Sequence, residues 1–106
     1  MARTVVNMPA QAKRGEVSEI KTLAGHIMET GFRHTERGES IPRDIITQFV
    51  CTYNGTEIFS ADLFPAIAAN PLITFTTVAT ESGTLEFKWV GDKGFTASHS
   101  AKLTVV

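Results

Sequence analysis

Residues Ile45 to Phe64 read I-I-T-Q-F-V-C-T-Y-N-G-T-E-I-F-S-A-D-L-F. Two runs rich in β-branched and aromatic residues meet there at Asn54 and Gly55. This dipeptide suits a two-residue type I′ turn, because both central positions of that turn need a positive φ. The stretch therefore predicts a tight β-hairpin, the strongest local signal in the chain.

The register of such a hairpin follows from the length of its loop, and it places apolar side chains on both faces. The expected cross-strand pairs are Tyr53 with Thr56, Cys51 with Ile58, and Val50 with Phe59. One face then carries Phe49, Cys51, Tyr53 and Ile58, and the other carries Val50, Phe59, Ala61 and Leu63. An antiparallel hairpin on a lone domain normally leaves one face in water. The second apolar face is therefore expected to be covered by this chain or by a partner.

Length and composition predict one domain, 1–106, with a single core. Ten Lys and Arg residues balance eleven Asp and Glu residues, and the sequence has no basic run, which argues against a nucleic-acid partner. The apolar stretches are strand-sized, so no membrane span is predicted. The N-terminal residues contain no apolar segment of signal-peptide length, which taken alone predicts a cytoplasmic chain.

The rest of the sequence predicts further strands and one long loop. Glu16 to Ala24 breaks strict alternation, which predicts a bulge or a bend, and Gly25 to Arg43 is polar and Gly-rich, which is typical of a loop. Pro65 to Pro71 predicts a short helical turn or a crossover. Thr84 to Val90 alternates with period two, which predicts that Leu85, Phe87 and Trp89 face inward, and Phe95 to Val106 alternates in the same way. Some seven short strands without a helix predict an all-β, immunoglobulin-like antiparallel β-sandwich.

The residues that could carry chemistry are few. Cys51 lies in the middle of a strand, where a cysteine is more often a small buried hydrophobe than a nucleophile. His26 and Met28 form an H-x-M pair that could bind copper, although a solvated loop explains the pair as well. The sequence contains neither a G-x-S-x-G motif nor a Gly-rich phosphate loop before a helix. We therefore predict no catalytic residue, no metal site and no cofactor.

Seven stretches, spread in order over nearly the whole chain, closely resemble the SoxZ family. Members of this family are the small subunits of the SoxYZ carrier in bacterial thiosulfate oxidation. The seven stretches are A-K-R-G-E-V at 12–17, E-I-K-T-L at 19–23, M-E-T-G-F-R at 28–33, I-P-R-D-I-I at 41–46, F-V-C-T-Y-N-G at 49–55, A-D-L-F-P-A-I-A-A-N-P at 61–71 and F-T-T-V-A-T-E-S-G at 75–83.

This resemblance implies an immunoglobulin-like scaffold subunit that is not an enzyme. Its partner would be SoxY, whose C-terminal Gly-Gly-Cys-Gly-Gly arm carries sulfur intermediates as covalent adducts to the other thiosulfate-oxidation enzymes, which the carrier meets transiently. The present sequence ends in K-L-T-V-V and shows no such arm. The resemblance also implies a periplasmic location, reached by export together with SoxY, and this overrides the cytoplasmic expectation.

Two surfaces are candidates for contact with partners. The partner-interface prediction comprises Val50, Phe59, Ala61 and Tyr53, although the two hairpin faces could be exchanged. The loop-surface prediction comprises His26, Met28, Arg33 and Arg43, which would support the arm or meet the visiting enzymes.

Two other interpretations stay open. H-I-M-E-T is similar to the H-P-M-E stretch of superoxide reductases, whose immunoglobulin-like domain holds iron with four histidines and one cysteine. This sequence has three histidines and one cysteine, so that ligand set is one short, and the alternative would be a related small redox metalloprotein. The other interpretation is a generic interaction sandwich that forms a homodimer.

Overall fold

The computed structural model describes residues 3–65, 67 and 69–106, which form eight strands and one 3-10 turn. The strands are β1 (Thr4–Asn7), β2 (Gln11–Ala12), β3 (Val17–Ala24), β4 (Ile46–Tyr53), β5 (Thr56–Asp62), β6 (Leu72–Val78), β7 (Gly83–Gly91) and β8 (Thr96–Val105). The turn, Asp92–Gly94, lies between β7 and β8. Ala66 and Ala68 lie outside the described residues, and with them the helical turn or crossover predicted between Pro65 and Pro71.

The strands form two sheets. One has five strands in the order β2-β8-β7-β4-β5, and the other has three in the order β1-β3-β6. All neighbouring pairs are antiparallel except β2 with β8. The predicted all-β, immunoglobulin-like sandwich is confirmed, with eight strands among the described residues where the sequence predicted about seven.

The hairpin between β4 and β5 turns where the sequence predicts it. Asn54 and Gly55 have φ values of 49° and 84°, and Tyr53 pairs with Thr56 as expected. The predicted register fails beyond that point, because a β-bulge inserts one extra residue, Ile58, into β5 between the residues that pair with Thr52 and Cys51 of β4. Cys51 pairs with Phe59 instead of Ile58, and Val50 pairs with Ser60 instead of Phe59.

The predicted irregularity in the third strand is also wrong. β3 pairs with β6 without a shift in register, and its side chains alternate regularly between core and solvent. Ser18 and Thr22 occupy buried positions, whereas Val17 is exposed. A break in the hydrophobic pattern here reflects small polar residues in the core and not a bulge in the backbone.

The core lies between the sheets and is centred on aromatic side chains. Phe49, Phe87 and Trp89 are fully buried, and the ring centroid of Phe49 is 5.1 Å from that of Trp89. The alternation predicted for β7 is confirmed, since Leu85, Phe87 and Trp89 all face the core. Aromatic residues bury large areas and dominate core energetics, at about 25 cal/mol per Å² of apolar surface removed from water.

The registers place three connections together at one end of the sandwich. This end, called the loop end below, is formed by 25–45, 63–71 and 91–95. The first of these is the long loop that the sequence predicts, and only two isolated bridges interrupt it, Glu29 with Asp44 and His34 with Ser40.

Candidate partner interface

Most of the predicted partner interface belongs to the core side of the hairpin. Tyr53 is 6% exposed, and its hydroxyl donates to the carbonyl oxygen of Glu81. Phe59 and Ala61 are partly buried and pack against the core. The prediction that these three residues share a partner-facing surface with Val50 is therefore wrong. The physical reason is the bulge, which turns Phe59 and Ala61 onto the face of Cys51 and Phe49.

Val50 lies on the opposite, outward face of the five-stranded sheet, and that face is mainly polar. It carries a cleft of about 570 Å³ whose lining includes the charged pair Glu86 and Lys88. Of the cleft's other outward-facing residues only Val90 is apolar; the rest are Gln48, Thr52, Ser98 and Ser100. The expected second apolar face of the hairpin is thus absent from the described residues.

Phe59 joins the two sheets at the side where both end. Its ring stacks on that of Phe75 from β6, with centroids 4.5 Å apart and planes 5° apart. β5 is the last strand of the five-stranded sheet and β6 is the last of the three-stranded sheet. We call this side of the sandwich, bounded by β5 and β6, the open side.

Two of the four predicted loop-surface residues are buried. The His26 side chain is 6% exposed, and its Nδ1 accepts a 2.9 Å hydrogen bond from the Met28 N–H. Its Nε2 lies 3.5 Å from Asp44 Oδ1, and its ring packs edge-on against Phe95 at 4.7 Å. The sulfur of Met28 accepts from the Ile46 N–H at 3.3 Å. His26 and Met28 therefore fold the long loop onto the sandwich, and the prediction that they lie on its surface is wrong.

The two predicted arginines are exposed and paired with acidic residues. Arg43 Nε and Nη2 donate to the two carboxylate oxygens of Asp92 at 2.8 and 2.9 Å, and this pairing lowers the pKa of Asp92. Arg33 donates to Glu29 in the same loop, and this hydrogen bond lowers the pKa of Glu29. Asp92 also accepts from the Ile45 N–H at 3.1 Å, so it connects the 91–95 turn to the start of β4.

The loop end displays exposed apolar side chains that were not among the residues predicted to contact partners. Phe32 and Phe64 are 77% and 65% exposed. The others are Ile27 and Ile67. Leu72, the first residue of β6, is exposed next to this end. Exposed apolar side chains that occur singly are normal, but their concentration at one end is typical of a contact surface. The sequence feature that could have identified these residues is the presence of large apolar side chains within otherwise polar connections.

The chemistry of Cys51 agrees with the structural role predicted for it. The residue is fully buried, and desolvation raises the pKa of its thiol to about 12. A thiolate, which is the reactive form, is therefore scarcely populated at neutral pH. Among residues 3–65, 67 and 69–106, no three His, Cys, Asp or Glu side chains are grouped so that they could hold a metal ion. The same residues form no helix that is long and apolar enough to span a membrane.

Solved structures share this sandwich at low sequence identity. Superoxide reductase (neelaredoxin) from Ignicoccus hospitalis matches with a TM-score of 0.74 and 15% identity over 97% of this chain and 80% of that one. A variant of the Archaeoglobus fulgidus superoxide reductase, in the reduced form, gives 0.61 and 15%, over 95% and 86%. The sulfur carrier protein SoxY from Chlorobium limicola f. thiosulfatophilum gives 0.67 and 11%, over 97% and 78%. At these identities the likeness establishes the fold alone.

The sequence itself is more specific than the fold. No curated protein matches the chain. The family model described as sulphur oxidation protein SoxZ matches residues 6–102, which include both sheets almost completely. The chain belongs to the SoxZ family of sulphur oxidation proteins.

Proposed function

We propose that this chain is the non-catalytic scaffold subunit of a sulfur carrier and pairs with a SoxY subunit, whose cysteine arm holds the covalent sulfur intermediates. The observation that carries the proposal is the SoxZ family match over residues 6–102. The SoxY structure supports it in one respect, because two subunits of the same fold suit a pseudosymmetric heterodimer.

The state of Cys51 supports a division of labour between the two subunits. A carrier thiol must reach the active sites of several enzymes, whereas the Cys51 thiol is buried with a pKa of about 12. It is also the single cysteine of the sequence. The covalent chemistry is therefore assigned to the partner, and this chain supplies the folded body to which the arm is attached.

The proposal includes a location and a second set of partners. This chain is exported together with SoxY, and the heterodimer resides in the periplasm. The loop end, with Phe32 and Phe64 exposed, is the surface that the visiting thiosulfate-oxidation enzymes contact transiently.

Co-expression with the SoxY chain of the same organism tests this function. A stable 1:1 heterodimer is expected from size-exclusion chromatography with light scattering. The Cys51→Ala variant is expected to form the same heterodimer and to support thiosulfate oxidation at the wild-type rate in a reconstituted system. Absence of a heterodimer, or loss of turnover in a folded Cys51→Ala complex, would overturn the proposal.

A further inference from the structure

The two sheets end in four edge strands among the described residues, and three of them carry features that discourage pairing with another chain. β1 and β2 have only four and two residues, and the part of β8 that β2 leaves unpaired carries the exposed charge of Lys102. β5 contains the bulge at Ile58 and the exposed charges of Glu57 and Asp62. Short length, bulges and charged side chains are the ways in which natural sheets protect their edges.

β6 has none of these features. It reads L-I-T-F-T-T-V over Leu72–Val78, with neither a charge nor a proline nor a glycine, and it pairs with β3 without a shift in register. Long, regular and uncharged edge strands are aggregation sites unless something covers them. The contrast with the other edges indicates that β6 is kept open for a partner.

The hydrogen bonds next to β6 identify which of its backbone groups are free. The Ala24 N–H donates to the Pro71 carbonyl, and the Ala79 N–H donates to the Glu16 carbonyl. Because hydrogen-bonded pairs in an antiparallel ladder recur at every second residue, the backbone groups of residues 73, 75 and 77 point toward β3. Those of 72, 74, 76 and 78 point away from it. Among the described residues, no other part of the chain forms a hydrogen bond with the backbone N–H or C=O groups of these four residues.

The same four residues expose their side chains. Leu72 and Val78 are 65% and 47% exposed at the two ends of the strand, and Thr74 and Thr76 lie exposed between them. Cross-strand pairs of threonines and β-branched side chains stabilise antiparallel sheets. The edge therefore presents alternating backbone N–H donors and C=O acceptors, and its side chains suit pairing with another β-strand. It carries no charge that could bind a charged ligand.

We propose that β6 is the strand through which this chain joins its partner, and that an edge strand of SoxY pairs with it antiparallel and extends the three-stranded sheet across the heterodimer. This inference rests on the proposed function. SoxY is the occupant because it has the same sandwich fold, so it brings comparable sheet edges, and like edges can pair about a pseudo-twofold axis. The main-chain hydrogen bonds supply affinity, as in other cases of strand addition.

A pair of proline variants tests the inference. In Thr76→Pro, the lost N–H is one that points away from β3, so the chain's own ladder stays complete. Ser60→Pro is the matched control, because the Leu63 N–H donates to the Thr47 carbonyl and the Ser60 N–H therefore points away from β4 in the same way. Wild-type chain and both variants are titrated with the SoxY chain of the same organism, and thermal unfolding of each free chain is recorded.

Thr76→Pro is expected to weaken SoxY binding by about 100-fold or more, since proline removes a ladder donor and its ring obstructs the added strand. Ser60→Pro is expected to bind within about threefold of wild type. If Thr76→Pro fails to fold, Thr76→Lys and Ser60→Lys repeat the comparison with an unchanged backbone.

The outcomes separate the inference from the function on which it rests. Equal binding by a folded Thr76 variant and its Ser60 counterpart would overturn the role of β6 and leave the SoxY partnership intact. Failure of the wild-type chain to bind SoxY would overturn the proposed function and the inference together. A homodimer of the wild-type chain that is lost in the Thr76 variant would assign β6 to a second copy and would overturn SoxY as its occupant.

Discussion

β5 and β6 border the same open side of the sandwich and have the same length of seven residues, yet their edges differ in chemistry. β5 carries Glu57, Asp62 and a bulge, whereas β6 is regular and uncharged. Both strands contribute an aromatic ring to one stack, so they share packing. The comparison indicates that side-chain burial alone does not identify an interface. The backbone N–H and C=O groups that stay unpaired at a sheet edge must be considered as well.

The largest expected effect concerns the stack that joins the two strands. Phe75 is 7% exposed and contacts the rings of both Phe49 and Phe59. Phe75→Ala is therefore expected to lower the free energy of unfolding by about 3 to 5 kcal/mol, the usual cost of a buried phenylalanine. Urea denaturation of the free chain measures the change. A loss below about 1 kcal/mol would show that the stack does not fasten the open side.

Phe59→Ala on the other strand is expected to cost less, about 1 to 3 kcal/mol, because Phe59 is only partly buried. The same denaturation experiment measures it. Its effect is expected on the stability of the free chain, since the ring faces the core. A variant with unchanged stability and lost SoxY binding would restore the original prediction that Phe59 is an interface residue.

Deleting Ile58 makes β5 more like β6. The deletion joins Glu57 to Phe59 and restores regular pairing with β4, because the flanking pairs with Thr52 and Cys51 are already in place. We expect a loss of about 1 kcal/mol from the packing of Ile58 and a new tendency to self-associate along a straightened edge. Sedimentation velocity at increasing concentration measures the association. A strictly monomeric variant would show that the charges of β5 suffice as protection.

The smallest effect is expected at the loop end, away from both edges. Arg43 lowers the pKa of Asp92 in the folded chain, so the carboxylate stabilises the fold above the unfolded pKa of about 3.9. That contribution is lost as the pH falls through the lower folded value. Asp92→Asn is expected to melt below wild type at neutral pH, with the difference vanishing in acid once the pH lies below the lowered folded pKa of Asp92. A difference that persists unchanged in acid would contradict this origin.

The sequence was sufficient where the signal was local. Asn54 and Gly55 located the turn, and the alternation of β7 identified Leu85, Phe87 and Trp89 as core residues. The sequence pattern did not indicate the bulge, because Ile58 and Phe59 are adjacent and both apolar. Either register of β5 against β4 therefore buries a large side chain.

Long-range features were beyond the reach of the sequence pattern. His26 is buried partly because Asp44 and Phe95 approach it in space, and neither is near it in sequence. The status of β6 as an edge depends on the order of strands in the sheet, which no local pattern states. The stretches that resemble SoxZ identified the family correctly, but they did not indicate which surface of the chain would contact a partner.

Residue-resolved amide hydrogen exchange, with and without SoxY, tests the central claim most directly. In the free chain the amides of Leu72, Thr74, Thr76 and Val78 are expected to exchange rapidly, and those of residues 73, 75 and 77 slowly. On SoxY binding the four rapid amides become protected, while the outward amides of Ser60 and Asp62 on β5 remain rapid. Protection of the β5 pair with continued rapid exchange along β6 would contradict the account.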